Sequence, residues 1–157
     1  MRRHTSTRRS GFSLLEVVIV VAIIAILAAI GIPRMSRGAR GASDSALSGD
    51  LSTLRNAIDL YAAEHLGAYP SDPNGGQLTQ YTNDTGTVNA TKTSDYIYGP
   101  YVRTIPPLPI GERKGSTKIA AADAAGVGWI YDVAAGTIKA NTKDTEVDEA
   151  GKQYNQY

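Results

Sequence analysis

Residues 12–32 read FSLLEVVIVVAIIAILAAIGI, and 18 of these 21 residues are apolar. No charged residue occurs between Val17 and Pro33. At 1.5 Å per residue, a helix over this segment spans about 31 Å, close to the thickness of a bilayer's hydrocarbon core. The β-branched residues at 17–21 do not favour a strand, because a backbone in lipid must satisfy its own hydrogen bonds. The segment therefore predicts a membrane helix.

The rest of the chain is much less apolar. The 157 residues are 42% apolar overall, with a formal net charge of +1 and no cysteine. Outside residues 12–32 the apolar share falls to about 35%, and much of it is alanine and tyrosine. So few large apolar side chains predict a small head domain that depends on a helix for its core.

Composition also excludes several classes of function. Without cysteine there is no disulfide framework, zinc–thiolate site or thiol nucleophile. The two histidines, His4 and His65, do not fit a Ser-His-Asp arrangement, and no phosphate-binding loop is present. His65 lies near a predicted helix end, where we expect it to interact with the helix dipole. We therefore expect that the protein is not an enzyme.

The segment before the apolar run is basic. Residues 1–11 contain Arg2, Arg3, Arg8 and Arg9 and no acid. A cleaved secretory signal has a shorter apolar stretch and a small-x-small exit, which is not found before residue 33. A plain membrane anchor explains the length of the run but not Glu16, because a carboxylate near the membrane interior costs roughly 2–4 kcal/mol. Glu16 is therefore a candidate functional residue.

Residues 11–16 read GFSLLE, which resembles the prepilin processing motif of type IV pilins and of type II secretion pseudopilins. The resemblance covers about residues 8–35. It implies that a membrane-embedded prepilin peptidase cuts after Gly11 and methylates the new amine of Phe12. It also places Glu16 at the family's charged position and Pro33 at its helix-kinking proline.

The resemblance further implies a pilin fold and a filament. The fold class expected is α+β, with a long N-terminal helix packed on a small C-terminal antiparallel sheet. The expected partners are further copies of the chain in a helical homopolymer, an inner-membrane assembly platform and minor pilins or pseudopilins. The expected location is the inner membrane as a single-pass protein, with the head in the periplasm, and then the filament.

Charge supports the same orientation and suggests a role for Glu16. Four arginines precede the apolar run and three follow it, which favours a cytoplasmic N-terminus by a small margin.

The amine of Phe12 created by cleavage and the carboxylate of Glu16 would be unpaired charges in hydrocarbon. Pairing between neighbouring subunits offsets that cost and sets the register of helix packing.

The pattern divides the chain into four parts: a leader (1–11), a membrane and assembly helix (12–33), an amphipathic continuation (34–66) and a head (67–157). Glycines and Pro33 weaken the helix between Gly31 and Gly41. That stretch is either a flexible linker or a helix that melts locally in a filament, and we favour the second. Leu47, Leu51, Leu54, Ile58 and Tyr61, the apolar stripe, then follow helical spacing.

The head begins where Gly67 and Pro70 end the helix. Residues 71–95 are rich in Asn, Thr, Gly and Asp and read as a long loop, and residues 106–109 as an extended proline connector. Residues 129–133 and 137–141, joined by Ala-Ala-Gly, predict a hairpin. Trp129, Tyr131 and Val133 should share one face and pack on the apolar stripe.

Four acids lie close together near the C-terminal end: Asp144, Glu146, Asp148 and Glu149. Oxygen-rich clusters can bind calcium, and resemblance to the major pseudopilins implies a calcium site in this region. The family's usual ligand pattern is absent, however, so Asp144, Glu146 and Asp148 are weak calcium candidates. A solvated acidic tail is the favoured interpretation.

Two classes of function remain open at this point. The leading hypothesis is a filament subunit, closest to a major pseudopilin because residues 55–70 resemble that group and cysteine is absent. A true type IV pilin for adhesion, motility or DNA uptake is the alternative within the class. Nucleic acid is a poor partner, since removal of the leader leaves a net charge of −3. The rival from another class is a membrane-tethered periplasmic binding module, which would not need Gly11 or Glu16.

Overall fold

The computed structural model describes residues 11, 13–72, 74 and 76–157, without the side chains of residues 31–37. The chain divides into two compact units, Met1–Ala39 and Arg40–Tyr157. In the described residues, the first unit holds the N-terminal part of one long helix. The second unit holds the rest of that helix and the described strands.

Helix α1 covers Leu14–Glu64, 51 residues. Its assignment as helix is continuous through residues 31–41, so local melting in a filament stays a prediction for the assembled state. The helix ends where Leu66 and Gly67 adopt positive φ angles of 58° and 87°. The amide of Gly67 then donates to the carbonyl oxygen of Ala62 over 2.8 Å. This confirms the predicted end of the helix before Pro70.

After α1, the described residues form two small sheets and two short helices. The elements are α2 (Gly76–Thr79), β1 (Tyr81–Thr82), β2 (Val88–Asn89), β3 (Lys118–Ala120), β4 (Val127–Asp132), β5 (Thr137–Ala140) and a 3₁₀ helix (Tyr154–Gln156). β1 and β2 form an antiparallel pair, and β3, β4 and β5 form a three-stranded sheet in that order. β3 pairs with β4 in parallel and β4 with β5 antiparallel. The expected α+β class is confirmed, but the larger sheet is mixed.

The predicted hairpin is the β4–β5 pair. Trp129 lies opposite Ala140 and Asp132 opposite Thr137. Trp129 and Tyr131 are buried as expected. Val133 is not, because β4 ends at Asp132 and Val133 belongs to the turn, where it is 39% exposed.

The core forms around the apolar stripe of α1. All five stripe residues are buried, in one cluster with Trp129. Trp129 has no exposed surface, and its indole N–H donates to the carbonyl oxygen of Pro106 over 2.8 Å. The proline connector thus satisfies the one polar atom of the Trp129 side chain.

Residues 71–95 are more ordered than a long loop. They contain α2, β1 and β2, and Thr82 also bridges to Tyr98. The side chain of Gln77, on α2, accepts from the amide of Asp72 and donates to the carbonyl oxygen of Gly86 over 2.7 Å. The expectation of a loop over the whole stretch was therefore wrong, because side-chain hydrogen bonds stabilise elements too short to show a period.

Candidate functional site

The N-terminal candidate residues lie just before and within the first turn of α1. Gly11 is exposed, and a β-carbon added there would meet nothing within 4 Å. Ser13 lies immediately before the helix, and its hydroxyl accepts from the amide of Leu15 over 3.3 Å. The carboxylate of Glu16 reaches back to the amide of Ser13 at 3.5 Å. Ser13 and Glu16 thus form the two sides of a capping box.

The other two N-terminal candidates are Phe12 and Pro33. Phe12, the expected site of methylation, lies outside the described residues. Pro33, the expected kink, lies inside the bounds of α1, but its side chain lies outside the described set. The roles of both residues stay predictions.

The first unit presents a continuous apolar helix surface. Twelve large apolar side chains between Leu14 and Ile30 are each between 49% and 85% exposed. Glu16 is the single acidic residue of this stretch. An exposed apolar surface of this extent marks a membrane or protein interaction site. Within the part of the chain that the structure describes, no helix meets the length and apolarity needed to cross a membrane.

His65 lies at the end of α1 and is 4% exposed. Its Nδ1 is 2.8 Å from the carbonyl oxygen of Tyr61, and its Nε2 is 2.9 Å from the carbonyl oxygen of Asn83. Since Tyr61 belongs to the last turn, the first contact agrees with the expected interaction at the negative end of the helix dipole. The second contact, to the turn after β1, was not expected from sequence.

The acids of the C-terminal segment accept hydrogen bonds from the protein itself. Glu146 accepts from the amides of Glu112 and Lys143, each over 2.7 Å. Asp148 accepts from the amides of Ala150 and Lys152, each over 2.8 Å. These carboxylates therefore organise two turns rather than forming only a solvated tail.

The calcium candidates are not gathered into one site. Asp144 accepts from the amide group of Asn155 over 2.8 Å, which is a third and separate contact. Among the described residues there is no group of three or more His, Cys, Asp or Glu side chains that could hold a metal ion. The geometry of Asp144, Glu146 and Asp148 therefore gives no support to calcium binding by these residues.

The C-terminal segment also attaches to α1. The hydroxyl of Tyr154 donates to Asp44, and the guanidinium of Arg55 donates to the carbonyl oxygen of Tyr157 over 2.5 Å. The hydroxyl of Tyr157 donates to Asp148 over 2.5 Å. That bond and the amides of the turn hold the pKa of Asp148 below its ordinary value. Burial, together with the bond to Asp44, raises the pKa of Tyr154 to about 12.

A polar surface cavity of about 160 Å³ lies near these turns. Its charges pair with one another: Arg113 with Asp123 at 2.9 Å, and Lys143 with Glu112. The hydrogen bond from Lys143 lowers the pKa of Glu112, and the bond from Arg113 does the same for Asp123. Glu146 also lines the cavity, and its carboxylate accepts from the amides of Glu112 and Lys143. Each charged side chain of the lining therefore already has an ion-pair or hydrogen-bond partner within the protein.

Two of these contacts correspond to a recognisable pattern in the sequence. Ser13 followed three residues later by Glu16 is the S-x-x-E pattern of a capping box. Asp148 with Gly151 three positions later is typical of a side-chain-stabilised turn. The contact between His65 and Asn83 had no signal, since its acceptor is a backbone carbonyl 18 residues away.

Comparison with known proteins supports one of the sequence predictions directly. Residues 6–32 match the family model described as the prokaryotic N-terminal methylation motif. The match includes Gly11, Phe12 and Glu16 and supports a type IV pilin-like protein. This motif implies processing by a prepilin peptidase, attachment to a membrane and later assembly into a filament. No curated protein and no solved structure matches the chain.

Proposed function

We propose that the protein is a structural subunit of a type IV pilus-like filament and that the filament is a type II secretion pseudopilus. The chain is made as a prepilin, cleaved after Gly11, methylated on Phe12 and polymerised through its N-terminal helix. The observation that carries the proposal is the match of residues 6–32 to the methylation motif. The matched segment includes the exposed apolar surface of α1, from Leu14 to Ile30.

The exposed surface needs a cover at each stage of this pathway. Burial of apolar area stabilises by about 25 cal/mol per Å². Before assembly, lipid provides the cover, with the N-terminus in the cytoplasm and the head in the periplasm. After assembly, the equivalent helices of neighbouring subunits provide it. The partners are thus further copies of the chain, the prepilin peptidase, an inner-membrane assembly platform and minor pseudopilins.

Glu16 gives the helix packing its register. Each mature subunit brings one cation, the amine of Phe12, and one anion, the carboxylate of Glu16, into an apolar environment. A buried charge without a partner is strongly destabilising, so only a register that pairs the two groups is stable. In the single chain Glu16 reaches the amide of Ser13 over 3.5 Å. That long contact leaves the carboxylate able to accept a stronger, charged partner.

The assignment to a pseudopilus rests on two features of the sequence. Cysteine is absent, whereas adhesive pilins commonly carry a C-terminal cysteine pair, and residues 55–70 resemble the major pseudopilins. A true pilus for adhesion, motility or DNA uptake is the alternative. Secretion of a type II substrate in a strain that lacks the protein separates the two. Lost secretion with normal motility and DNA uptake supports the pseudopilus, and the reverse result overturns it.

The test of the filament itself is intact-mass analysis of the protein purified from membranes that contain a prepilin peptidase. We expect the loss of residues 1–11 and the addition of one methyl group on Phe12, with filaments visible by electron microscopy. A full-length, unmethylated chain that forms no filaments would instead support a membrane-tethered binding module.

Gly11→Val is the informative variant. A β-carbon added at residue 11 would meet nothing within 4 Å, so we expect the substitution to leave the fold intact. We expect it to block cleavage because the peptidase must accommodate the residue before the scissile bond. Gly41→Ala is the matched control, since it is equally open but lies outside the motif. Normal cleavage of Gly11→Val would contradict the proposed site.

A further inference from the structure

Both ring nitrogens of His65 face hydrogen-bond acceptors. Nδ1 is 2.8 Å from the carbonyl oxygen of Tyr61, and Nε2 is 2.9 Å from that of Asn83. A neutral imidazole carries one N–H, and its other nitrogen is an acceptor. In the neutral form, one of these contacts would therefore place a nitrogen lone pair against an oxygen lone pair. Only the doubly protonated ring donates to both carbonyls.

The surroundings of the ring compensate for a buried positive charge, which would otherwise be costly. The ring of Tyr61 stacks on His65 with centroids 3.9 Å apart and planes 3° from parallel. This geometry presents the electron-rich face of a phenol to the cation. In addition, the carbonyl of Tyr61 belongs to the last turn of α1, where the helix dipole is negative.

Three tyrosine rings face the ring of His65. They are Tyr61 from α1, and Tyr98 and Tyr101 from the 98–101 segment, with ring centroids 3.9, 5.2 and 6.5 Å from that of His65. Glu64 accepts from the hydroxyl of Tyr101 over 2.7 Å. Burial raises the pKa of both Tyr61 and Tyr101. These two phenols therefore stay neutral over the range in which histidine titrates, about pH 5 to 8.

The turn that His65 holds is internally ordered. The side-chain oxygen of Asn83 accepts from the amides of Thr85 and Thr87, over 3.2 and 2.8 Å. The carbonyl oxygen of Asn83 also accepts from the amide of Gly86 over 3.0 Å. The carbonyl aimed at Nε2 therefore has a fixed direction and cannot turn away without disturbing residues 83–87.

We infer that the doubly protonated ring of His65 attaches the 83–87 turn to the end of α1 through its hydrogen bond to Asn83, and that this attachment depends on pH. Loss of one proton as pH rises leaves one nitrogen facing a carbonyl oxygen, and the turn is then held by one fewer hydrogen bond. The Nδ1 contact lies within one helix turn, so the Nε2 contact to Asn83 is the one released. This inference concerns the end of α1 and the 83–87 turn and does not depend on the proposed filament.

The test is ¹⁵N nuclear magnetic resonance of the full chain in detergent, with the histidines labelled. The sequence has two histidines, so the variant His4→Gln leaves His65 as the one observed ring. At pH 5.5 we expect protons on both ring nitrogens of His65. On raising the pH to 8, one proton should be lost, and amide exchange at Thr85 and Thr87 should accelerate about tenfold beyond its intrinsic pH dependence. A ring with a single proton at pH 5.5 would overturn the inference.

His65→Gln provides the matched control. Glutamine can donate to a carbonyl but does not titrate, so the excess exchange at Thr85 and Thr87 should become independent of pH. The same pH dependence in His65→Gln and in the parent chain would also overturn the inference. If His65→Gln fails to fold, as judged by fluorescence of Trp129, the ring protonation of the parent chain decides alone.

Discussion

The hydroxyl of Tyr154 donates a hydrogen bond of 2.9 Å to the carboxylate of Asp44 and so joins the C-terminal 3₁₀ helix to α1. The two residues are 110 positions apart in the sequence. Three helical turns further along α1, Arg55 holds the carbonyl oxygen of Tyr157. The last residues of the chain therefore contact α1 at two points that lie about three helical turns apart.

Removal of the Tyr154–Asp44 bond should destabilise the head. A hydrogen bond to a charged group contributes about 1.5 kcal/mol when buried, and partial exposure reduces this. We expect Tyr154→Phe and Asp44→Asn each to lower the free energy of unfolding by about 1 kcal/mol. The double variant should lose little more than either single one. Denaturant unfolding monitored by Trp129 fluorescence measures this, and fully additive losses would show that the residues do not interact.

Alkaline pH should release the same segment. Burial raises the pKa of Tyr154 to about 12, and the hydrogen bond to Asp148 raises that of Tyr157 to about 12. Because the folded chain favours the neutral phenols, their stabilising contribution is complete below about pH 10, the value for unfolded tyrosine. It is lost as pH rises towards 12. The thermal midpoint should therefore fall over this interval, and less steeply in the Tyr154→Phe, Tyr157→Phe double variant.

Acid should weaken the turn at Asp148. The bond from Tyr157 and the turn amides lower the pKa of this carboxyl, so its contribution is complete above its ordinary value near 4 and is lost as pH falls further. Asp148→Asn should flatten the decline of the thermal midpoint between pH 5 and pH 3. Its neighbour Glu149 is exposed, and Glu149→Gln is the control expected to leave that decline unchanged.

Gly136 should tolerate no side chain. It has a φ of +66°, and the ring of Tyr69 occupies the space that a β-carbon would need. Gly136→Ala should therefore cost about 2–4 kcal/mol, combining backbone strain with overpacking. Gly151→Ala has a similar φ of +84° but open space, and should cost about 1–2 kcal/mol. Equal losses at the two sites would show that Tyr69 does not pack on the turn.

The parts of the fold that the sequence predicts are those with a local period. The apolar stripe of α1 and the β4–β5 hairpin each repeat a pattern over several residues, so both were predicted near their observed positions. The parallel pairing of β3 with β4 was not predicted. β3 has three residues, and the choice of partner depends on the folded chain rather than on the strand itself.

The same distinction applies to the candidate sites. Gly11, Phe12 and Glu16 form a contiguous motif, and a family model matches the segment that contains them. The partners of His65 and of the C-terminal acids are mostly backbone groups brought together by folding. Backbone carbonyls and amides occur at every residue, so sequence alone gives no reason to choose residue 83 or 112.

Glu16 has two possible roles that a single pair of variants separates. As the third residue of α1 it caps the helix, reaching the amide of Ser13 at 3.5 Å. In the proposed filament its charge pairs with the amine of Phe12 in a neighbour. Glutamine serves as well as glutamate in a capping box but carries no charge. Alanine provides neither function.

We therefore expect Glu16→Gln to be cleaved and methylated normally but to assemble as poorly as Glu16→Ala. Loss of the anion leaves the amine of Phe12 buried without a partner, whichever side chain replaces it. Intact mass reports processing, and the ratio of sheared filaments to membrane-bound subunit reports assembly. Ser13→Ala, which removes the other half of the capping box and keeps the charge, is the control and should assemble well. Assembly of Glu16→Gln at the parental level would show that capping, not charge, is what the filament requires of this residue.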